Sequence, residues 1–121
     1  MFSKTYASVL AEDFSNNRKH TISINEFRKS PLHYKIWLLL LHNNNSGKET
    51  TMESIVTHLA GDSSRKTTTN ILTDLEKKNL LTRKKDISDH RVTLVEPAGR
   101  TIQEFGEWIK HLKFELNSVE Q

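Results

Sequence analysis

Two short helical patterns joined by a tight turn constrain the fold of this sequence most. Residues 52–59 carry apolar side chains at helical spacing, and Gly61 is suited to end that helix. A second helix is predicted over residues 64–78, after only Gly-Asp-Ser. The polar segment 43–50 contains no apolar residue and is predicted to be an exposed connection. Two short helices around a glycine-containing turn are typical of a helix-turn-helix.

The residues after this motif predict a basic hairpin and a long helix. Segments 80–85 and 91–95 alternate as strands on either side of a polar turn, and Asn79 can adopt the left-handed conformation that ends a helix. Pro97 is suited to the first position of a helix. From Pro97 onward, apolar residues recur every three or four positions, which predicts one continuous apolar seam.

The residues before the motif predict two helices and a connector. Segment 1–17 has the apolar spacing of an amphipathic helix of about four turns. Segment 17–27 is interpreted as a connector with a short turn, in which Ser23 and Glu26 have the spacing of a capping box. The pair Ser30-Pro31 then opens a mostly apolar helix, which we expect at the centre of the core.

This order of elements predicts a fold class that is mainly α with a small β-hairpin (α+β). It corresponds to a winged helix-turn-helix with N- and C-terminal dimerisation helices. A chain of 121 residues fits one domain, 1–121, with terminal helices at 1–17 and 97–119 around a winged helix-turn-helix core at 30–95. Hydrophobic residues make up only 35% of the chain, so a lone copy would have a thin core. That composition favours association with a second copy.

The distribution of charge indicates the kind of partner more clearly than its total. The net charge is only +3, but residues 65–91 hold eight basic and four acidic side chains, a net of +4. The other 94 residues therefore sum to −1. Positive charge confined to the second helix and the hairpin is the expected footprint of contact with nucleic-acid phosphates.

Three short motifs within residues 52–105 resemble those of the MarR family of winged-helix transcriptional regulators, including its shorter Sar-type members. They are Leu-Glu-Lys-Lys-Asn-Leu at 75–80, Asp-Ile-Ser-Asp-His-Arg at 86–91, and the entry to the last helix at 95–99. The chain departs from the family pattern at Asn79, where glycine is usual, and at 95–97. Its terminal helices are shorter than in most ligand-responsive members, which argues against a roomy effector pocket. A small-molecule effector is therefore possible but not indicated, and a sensor of an apolar ligand between the terminal helices and the body is a third interpretation.

The resemblance implies a sequence-specific regulator that binds double-stranded DNA as a homodimer. Helix 64–78 would enter the major groove and the wing, 81–95, the minor groove. The residues expected to contact DNA are Ser64, Arg65, Lys66, Thr67, Thr69 and Asn70 on the helix and Arg83, Lys84, Lys85, Asp89, His90 and Arg91 on the wing. Asn, Thr, Lys and Arg side chains can all contact base edges or phosphates.

Several of these features also have a purely structural interpretation. The basic runs 77–78 and 83–85 could form a solvated face, and the threonine run 67–69 could be a weak helical segment tolerated by packing. Asp89, expected to hold the Arg91 guanidinium in place, could instead only stabilise the turn. A winged-helix adaptor that binds a protein partner and little or no DNA remains the alternative function.

Apolar residues on the terminal helices are predicted to form a two-fold dimer interface. They are Phe2, Tyr6 and Leu10 in the first helix and Ile102, Phe105, Ile109, Leu112 and Leu116 in the last. The same seam could pack against the first helix of its own chain, and both arrangements can coexist. Two recognition helices in a dimer would suit a palindromic operator.

Composition argues against several other classes. The chain has no cysteine, which excludes disulfides and fits a reducing cytoplasm. Its six histidines lack metal-ligand spacing, so no metal is predicted. No set of catalytic residues can be assembled, so we expect no enzyme activity and no cofactor. The longest apolar run has six residues and no secretory signal is evident, so we expect a cytoplasmic protein without membrane association.

Overall fold

The computed structural model describes residues 4–15 and 22–119. Its elements are α1 (Tyr6–Ser15), α2 (Ile22–Phe27), α3 (Pro31–Asn45), α4 (Met52–His58), α5 (Arg65–Lys77), β1 (Leu81–Lys85), β2 (Thr93–Pro97) and α6 (Gly99–Asn117). The two strands pair antiparallel, from Leu81 opposite Pro97 to Lys85 opposite Thr93. The predicted fold class, a winged helix-turn-helix with additional helices at both ends, is confirmed.

Helix α3 lies at the centre of the core, as predicted. Ser30 caps it by accepting a hydrogen bond from the His33 backbone N–H at 3.2 Å, and Pro31 occupies the first turn. Trp37 is fully buried and stacks on Phe27, with ring centroids 6.0 Å apart. The other fully buried side chains around it are Ile24, Ile36, Leu40, Ile55, Leu59, Leu72, Leu75, Leu80, Leu81 and Val95.

Local capping and burial define the helix-turn-helix, α4 and α5. The Thr51 hydroxyl accepts a hydrogen bond from the Ser54 N–H at 3.1 Å to cap α4, and Ser64 caps α5 in the same way through the Thr67 N–H at 3.1 Å. Asn79 has a φ of 60°, which confirms the predicted left-handed end of the second helix. Thr68, Leu72 and Leu75 are buried on one side of α5, and the opposite side of its first turns is exposed to solvent.

The predicted connector at 17–27 is wrong over its described part, because residues 22–27 form α2. Ile24 and Phe27 are buried in the core, which stabilises a helix too short to form alone. The predicted capping box is also absent: the Ser23 backbone N–H and hydroxyl donate to Glu104, at 3.0 and 2.6 Å, rather than pairing with Glu26. A contact between residues 81 positions apart therefore replaces the local one.

Three predicted boundaries also differ. Pro97 ends β2 instead of starting the last helix, because it pairs with Leu81 and the next N–H, that of Ala98, donates to the Leu80 carbonyl at 3.0 Å. Helix α3 extends to Asn45, into the predicted connection at 43–50. Helix α1 is shorter than four turns in its described part and buries Val9 rather than Leu10.

No helix within residues 4–15 and 22–119 combines the length and hydropathy that crossing a membrane requires.

Candidate nucleic-acid interface

The start of α5 presents a row of polar and cationic side chains to solvent. Ser64, Arg65, Lys66, Thr67 and Asn70 are exposed, and Thr69 is half-buried. The predicted recognition residues on this helix are therefore together at one end of one element. Their functional groups include hydroxyls, an amide and two cations, which can all bond to base edges or phosphates.

The threonine run divides between packing and exposure. Thr68 is buried, and its hydroxyl donates to the Ser63 hydroxyl at 3.3 Å. Thr67 is exposed and Thr69 is half-buried on the other side of the helix. The packing interpretation therefore holds for Thr68. Thr67 remains accessible to a partner although its hydroxyl accepts a hydrogen bond from the Ser64 hydroxyl at 3.1 Å.

Arg65, the first residue of α5, is paired with Glu53 of α4. Its two outer guanidinium nitrogens, Nη1 and Nη2, donate to the two carboxylate oxygens at 2.8 and 2.6 Å. The hydrogen bonds from Arg65 lower the pKa of the Glu53 carboxyl. The pair connects the two helices of the helix-turn-helix at the exposed surface.

The basic strand β1 packs against α5, and its cations differ in how they are held. Arg83 is half-buried and turned toward α5, where Nη2 donates to Glu76 at 2.8 Å and to the Thr73 hydroxyl at 3.2 Å. Lys84 pairs with Glu96 on β2 at 3.0 Å. Lys85 donates to the Thr93 hydroxyl at 3.2 Å and remains exposed.

The tip of the wing contains the predicted pair of Asp89 and Arg91. Nε of Arg91 donates to Oδ1 at 3.1 Å and Nη2 donates to Oδ2 at 3.2 Å, so the predicted contact is present. These hydrogen bonds lower the pKa of Asp89. The Arg91 side chain is nevertheless 91% exposed, and His90 beside it is exposed as well.

Ile87 is a residue at this tip that the sequence analysis did not single out. It is 92% exposed, the most exposed large apolar side chain among the described residues. A single apolar residue in the otherwise polar turn 86–90 was the available signal. Apolar side chains of this kind contact sugars or enter base steps in minor-groove complexes.

Ion pairs neutralise much of the basic patch at 65–91. Five of its eight cations lie within 4.0 Å of a carboxylate: Arg65, Lys78, Arg83, Lys84 and Arg91. In the described part of the chain, the other three, Lys66, Lys77 and Lys85, have no such partner. The number of basic residues in the sequence therefore overstates how many cations in this patch have no carboxylate partner.

The predicted dimerisation residues fall into two groups. Tyr6, Leu10 and Ile102 are exposed, whereas Ile109, Leu112 and Leu116 are half-buried. Phe105 faces its own core, with its ring edge-on to Trp37 at 5.2 Å between centroids. Phe2 lies outside the described residues. Two large apolar side chains that were not in the predicted set, Phe14 and Phe114, are among the most exposed.

An open groove of about 600 Å³ lies between α1, the start of α3 and α6. A polar cluster spans one wall: Asp13 accepts hydrogen bonds from Trp108 Nε1 at 2.7 Å and from Arg28 Nη1 at 2.8 Å. The Arg28 guanidinium also lies over the Phe14 ring at 4.8 Å. A groove of this size is therefore present although the terminal helices are short.

Within the described ranges, no group of three His, Asp or Glu side chains is placed to hold a metal ion. His33 is buried, and its Nδ1 lies 2.6 Å from the Ser30 hydroxyl that caps α3. Burial lowers its pKa. This histidine therefore has a structural partner.

Comparison with known proteins identifies the fold. No protein-family model matches the sequence, and no curated protein does either. Among solved structures, a mutant of MepR from multidrug-resistant S. aureus is 17% identical, with a TM-score of 0.65 over 97% of this chain and 82% of that one. AbfR bound to DNA is 23% identical, with a TM-score of 0.57 over 89% of this chain and 72% of AbfR.

NadR in complex with 4-hydroxyphenylacetate is 16% identical, with a TM-score of 0.59 over 98% of this chain and 83% of NadR. TM-scores of 0.57 to 0.65 show that the chain shares its fold with these solved structures. The chain therefore has the winged-helix fold of these solved structures.

Proposed function

We propose that this protein is a sequence-specific, double-stranded-DNA-binding transcriptional regulator that acts as a homodimer. The observation that carries the proposal is the exposed row of cationic and hydrogen-bonding side chains at the start of α5, beside a basic hairpin. Phosphate contacts from such a surface supply affinity, and base contacts supply specificity. AbfR, which has the same fold, has been solved bound to DNA.

In the proposed complex, α5 lies in the major groove. Asn70 can read adenine through two hydrogen bonds, Thr67 and Thr69 can offer a hydroxyl and a methyl to thymine, and Lys66 can contact guanine or phosphate. Arg91 enters the minor groove, where a narrow groove concentrates negative potential. The two hydrogen bonds to Asp89 limit the directions in which the Arg91 guanidinium can point.

The homodimer is supported by the apolar surface of the terminal helices. Tyr6 and Leu10 on α1 and Ile102 on α6 are exposed, as are Phe14 and Phe114. Apolar residues in such number on two helices are typical of a covered interface. Two-fold symmetry would place both recognition helices on one face, about one DNA turn apart, which suits a palindromic operator.

We further infer a single domain over 1–121, no catalytic activity and a cytoplasmic location.

The test is binding of the purified protein to random-sequence and genomic duplexes across a salt series, with mass measured by light scattering. Four to six phosphates per protomer would give a log–log slope of about −7 to −11 for the dimer. Selective, salt-sensitive binding of two protomers per site would support the proposal. A flat salt response contradicts it, and a dimer indifferent to DNA would favour the protein adaptor.

A second function, sensing of a small aromatic acid, is favoured by the groove beside Arg28. Its volume is in the usual range for ligand sites and its walls are mostly apolar. The Arg28 guanidinium in one wall is paired with Asp13, so an acid would have to compete with that carboxylate. NadR has been solved with 4-hydroxyphenylacetate. Thermal melting with and without this acid tests the idea, because a ligand that binds only the folded state raises the melting temperature. An unchanged melting temperature at millimolar acid would rule out this function for that ligand.

A further inference from the structure

The ion pair between Glu53 and Arg65 joins two helices whose packing is already determined by other contacts. The turn between α4 and α5 is held by two capped helix starts and by Leu59 and Leu72, which are fully buried. The side chains of Arg65 and Glu53 are 58% and 69% exposed. Exposed pairs contribute little to stability, so folding gives a weak reason for this one.

The geometry of the pair has a direct consequence for binding. Both outer nitrogens of Arg65 donate to the two oxygens of one carboxylate, at 2.8 and 2.6 Å. A guanidinium uses the same two nitrogens to bind a phosphate. Arg65 therefore cannot make its full contact with a DNA backbone while it remains paired with Glu53.

We propose that Glu53 competes with DNA phosphates for Arg65 and thereby weakens binding to duplexes of arbitrary sequence. When Arg65 moves to a phosphate, the Glu53 carboxylate is left unpaired beside the negatively charged backbone. Glu53 thus acts as a positioning residue that lowers the contribution of the Arg65 phosphate contact to duplex binding. This inference rests on the DNA-binding function proposed above.

The experiment compares four proteins on a duplex of random sequence and constant length: the parent, Glu53→Gln, Arg65→Gln and the double variant. We expect Glu53→Gln to raise affinity roughly threefold to tenfold and to steepen the salt slope by about one unit per protomer. The gain should disappear in the Arg65→Gln background. A purely structural role for Glu53 would change the melting temperature without changing the salt slope.

Glu107→Gln is the matched control. Glu107 is exposed on α6, where its described contact is a hydrogen bond from Gln103 at 3.3 Å. The substitution makes the same change in net charge on another element. We expect affinity for the duplex to stay within about twofold of the parent, because Glu107 lies on α6, outside the proposed DNA-contacting helix and wing, and pairs with no cation among the described residues.

Two results overturn the proposal while leaving the DNA-binding function intact. In the first, the parent binds the duplex in a salt-dependent manner, but Glu53→Gln has the same or a lower affinity and the same salt slope. The other is a gain that persists in full without Arg65, since Glu53 would then repel DNA independently of its partner. If all four proteins are folded and none binds the duplex at low salt, the DNA-binding function itself fails, and this inference fails with it.

Discussion

Glu104 caps the first turn of α2 through Ser23, 81 residues earlier in the chain, and removing this carboxylate should measurably lower the free energy of unfolding. Its Oε1 accepts hydrogen bonds from the Ser23 backbone N–H at 3.0 Å and from the Ser23 hydroxyl at 2.6 Å. Its Oε2 accepts one from Arg100 Nε at 3.1 Å. Glu104 is only 8% exposed, so little water can replace it.

The expected cost follows from these contacts. Each hydrogen bond to an ionised acceptor contributes about 1.5–3 kcal/mol, and a buried donor left without a partner costs about 1–3 kcal/mol. We expect Glu104→Ala to lower the free energy of unfolding by about 2–4 kcal/mol. Glu104→Gln should cost about 1–2 kcal/mol, because its amide oxygen can still accept from Ser23 but carries no charge.

The pH dependence provides a separate check. Burial by itself would raise the pKa of Glu104, but the hydrogen bonds from Ser23 and Arg100 outweigh it and lower the pKa below the ordinary value of 4.5. A group whose pKa is lowered on folding stabilises the folded state above its unfolded pKa. That contribution is lost as the pH falls through the folded pKa. The stability difference between the parent and Glu104→Gln should therefore shrink below about pH 4.5.

Urea unfolding at one protein concentration, followed by the fluorescence of Trp37 and Trp108, measures both effects. A constant concentration is needed because a dimer couples stability to concentration. Glu107→Gln on the exposed side of the same helix is the control and should stay within about 0.5 kcal/mol of the parent. A loss under about 1 kcal/mol for Glu104→Ala would refute the capping role. A difference between the parent and Glu104→Gln that is the same at pH 7 and pH 3 would refute the electrostatic explanation.

Three further substitutions test other parts of the molecule. Arg91→Ala should weaken duplex binding by about 1–3 kcal/mol at an unchanged melting temperature, and parent-like binding would show that the wing does not enter a groove. Leu10→Asp, at an exposed apolar position, should convert the dimer to a folded monomer in light scattering, and a dimer of unchanged mass would exclude α1 from the interface. Asn79→Ala should lower the free energy of unfolding by about 1 kcal/mol, whereas Asn79→Gly should not, because φ is 60° there. Equal urea midpoints for the alanine variant and the parent would contradict this explanation.

Elements defined by nearby residues could be predicted from the sequence. Ser30 and Pro31 start α3, and Ser64 caps α5, through contacts that reach only three residues along the chain. The ion pair of Asp89 with Arg91 was predictable for the same reason, since the two residues are two positions apart. Such contacts form in any tertiary arrangement that permits the local turn.

Elements stabilised by distant residues could not be predicted. Residues 22–27 have too few local interactions to form a helix alone, and their cap is Glu104 on α6. Pro97 satisfies the local preference for a helix start but pairs with Leu81 across the hairpin. In both cases a tertiary contact overrides the local preference.

For the candidate site, the sequence by itself determined which side chains are available: a helix start rich in threonine, asparagine and cations, and a basic hairpin with Asp89 and Arg91 at its tip. Only the tertiary structure decided which of those cations form ion pairs with carboxylates of the same chain. Arg65 is held by Glu53, twelve residues away, and Arg83 by Glu76, seven residues away, because the packing of α4, α5 and β1 brings those groups together. The net charge of a segment can be counted from the sequence. Ion pairs between helices and strands depend on distances between side chains, which only the packing of those elements determines.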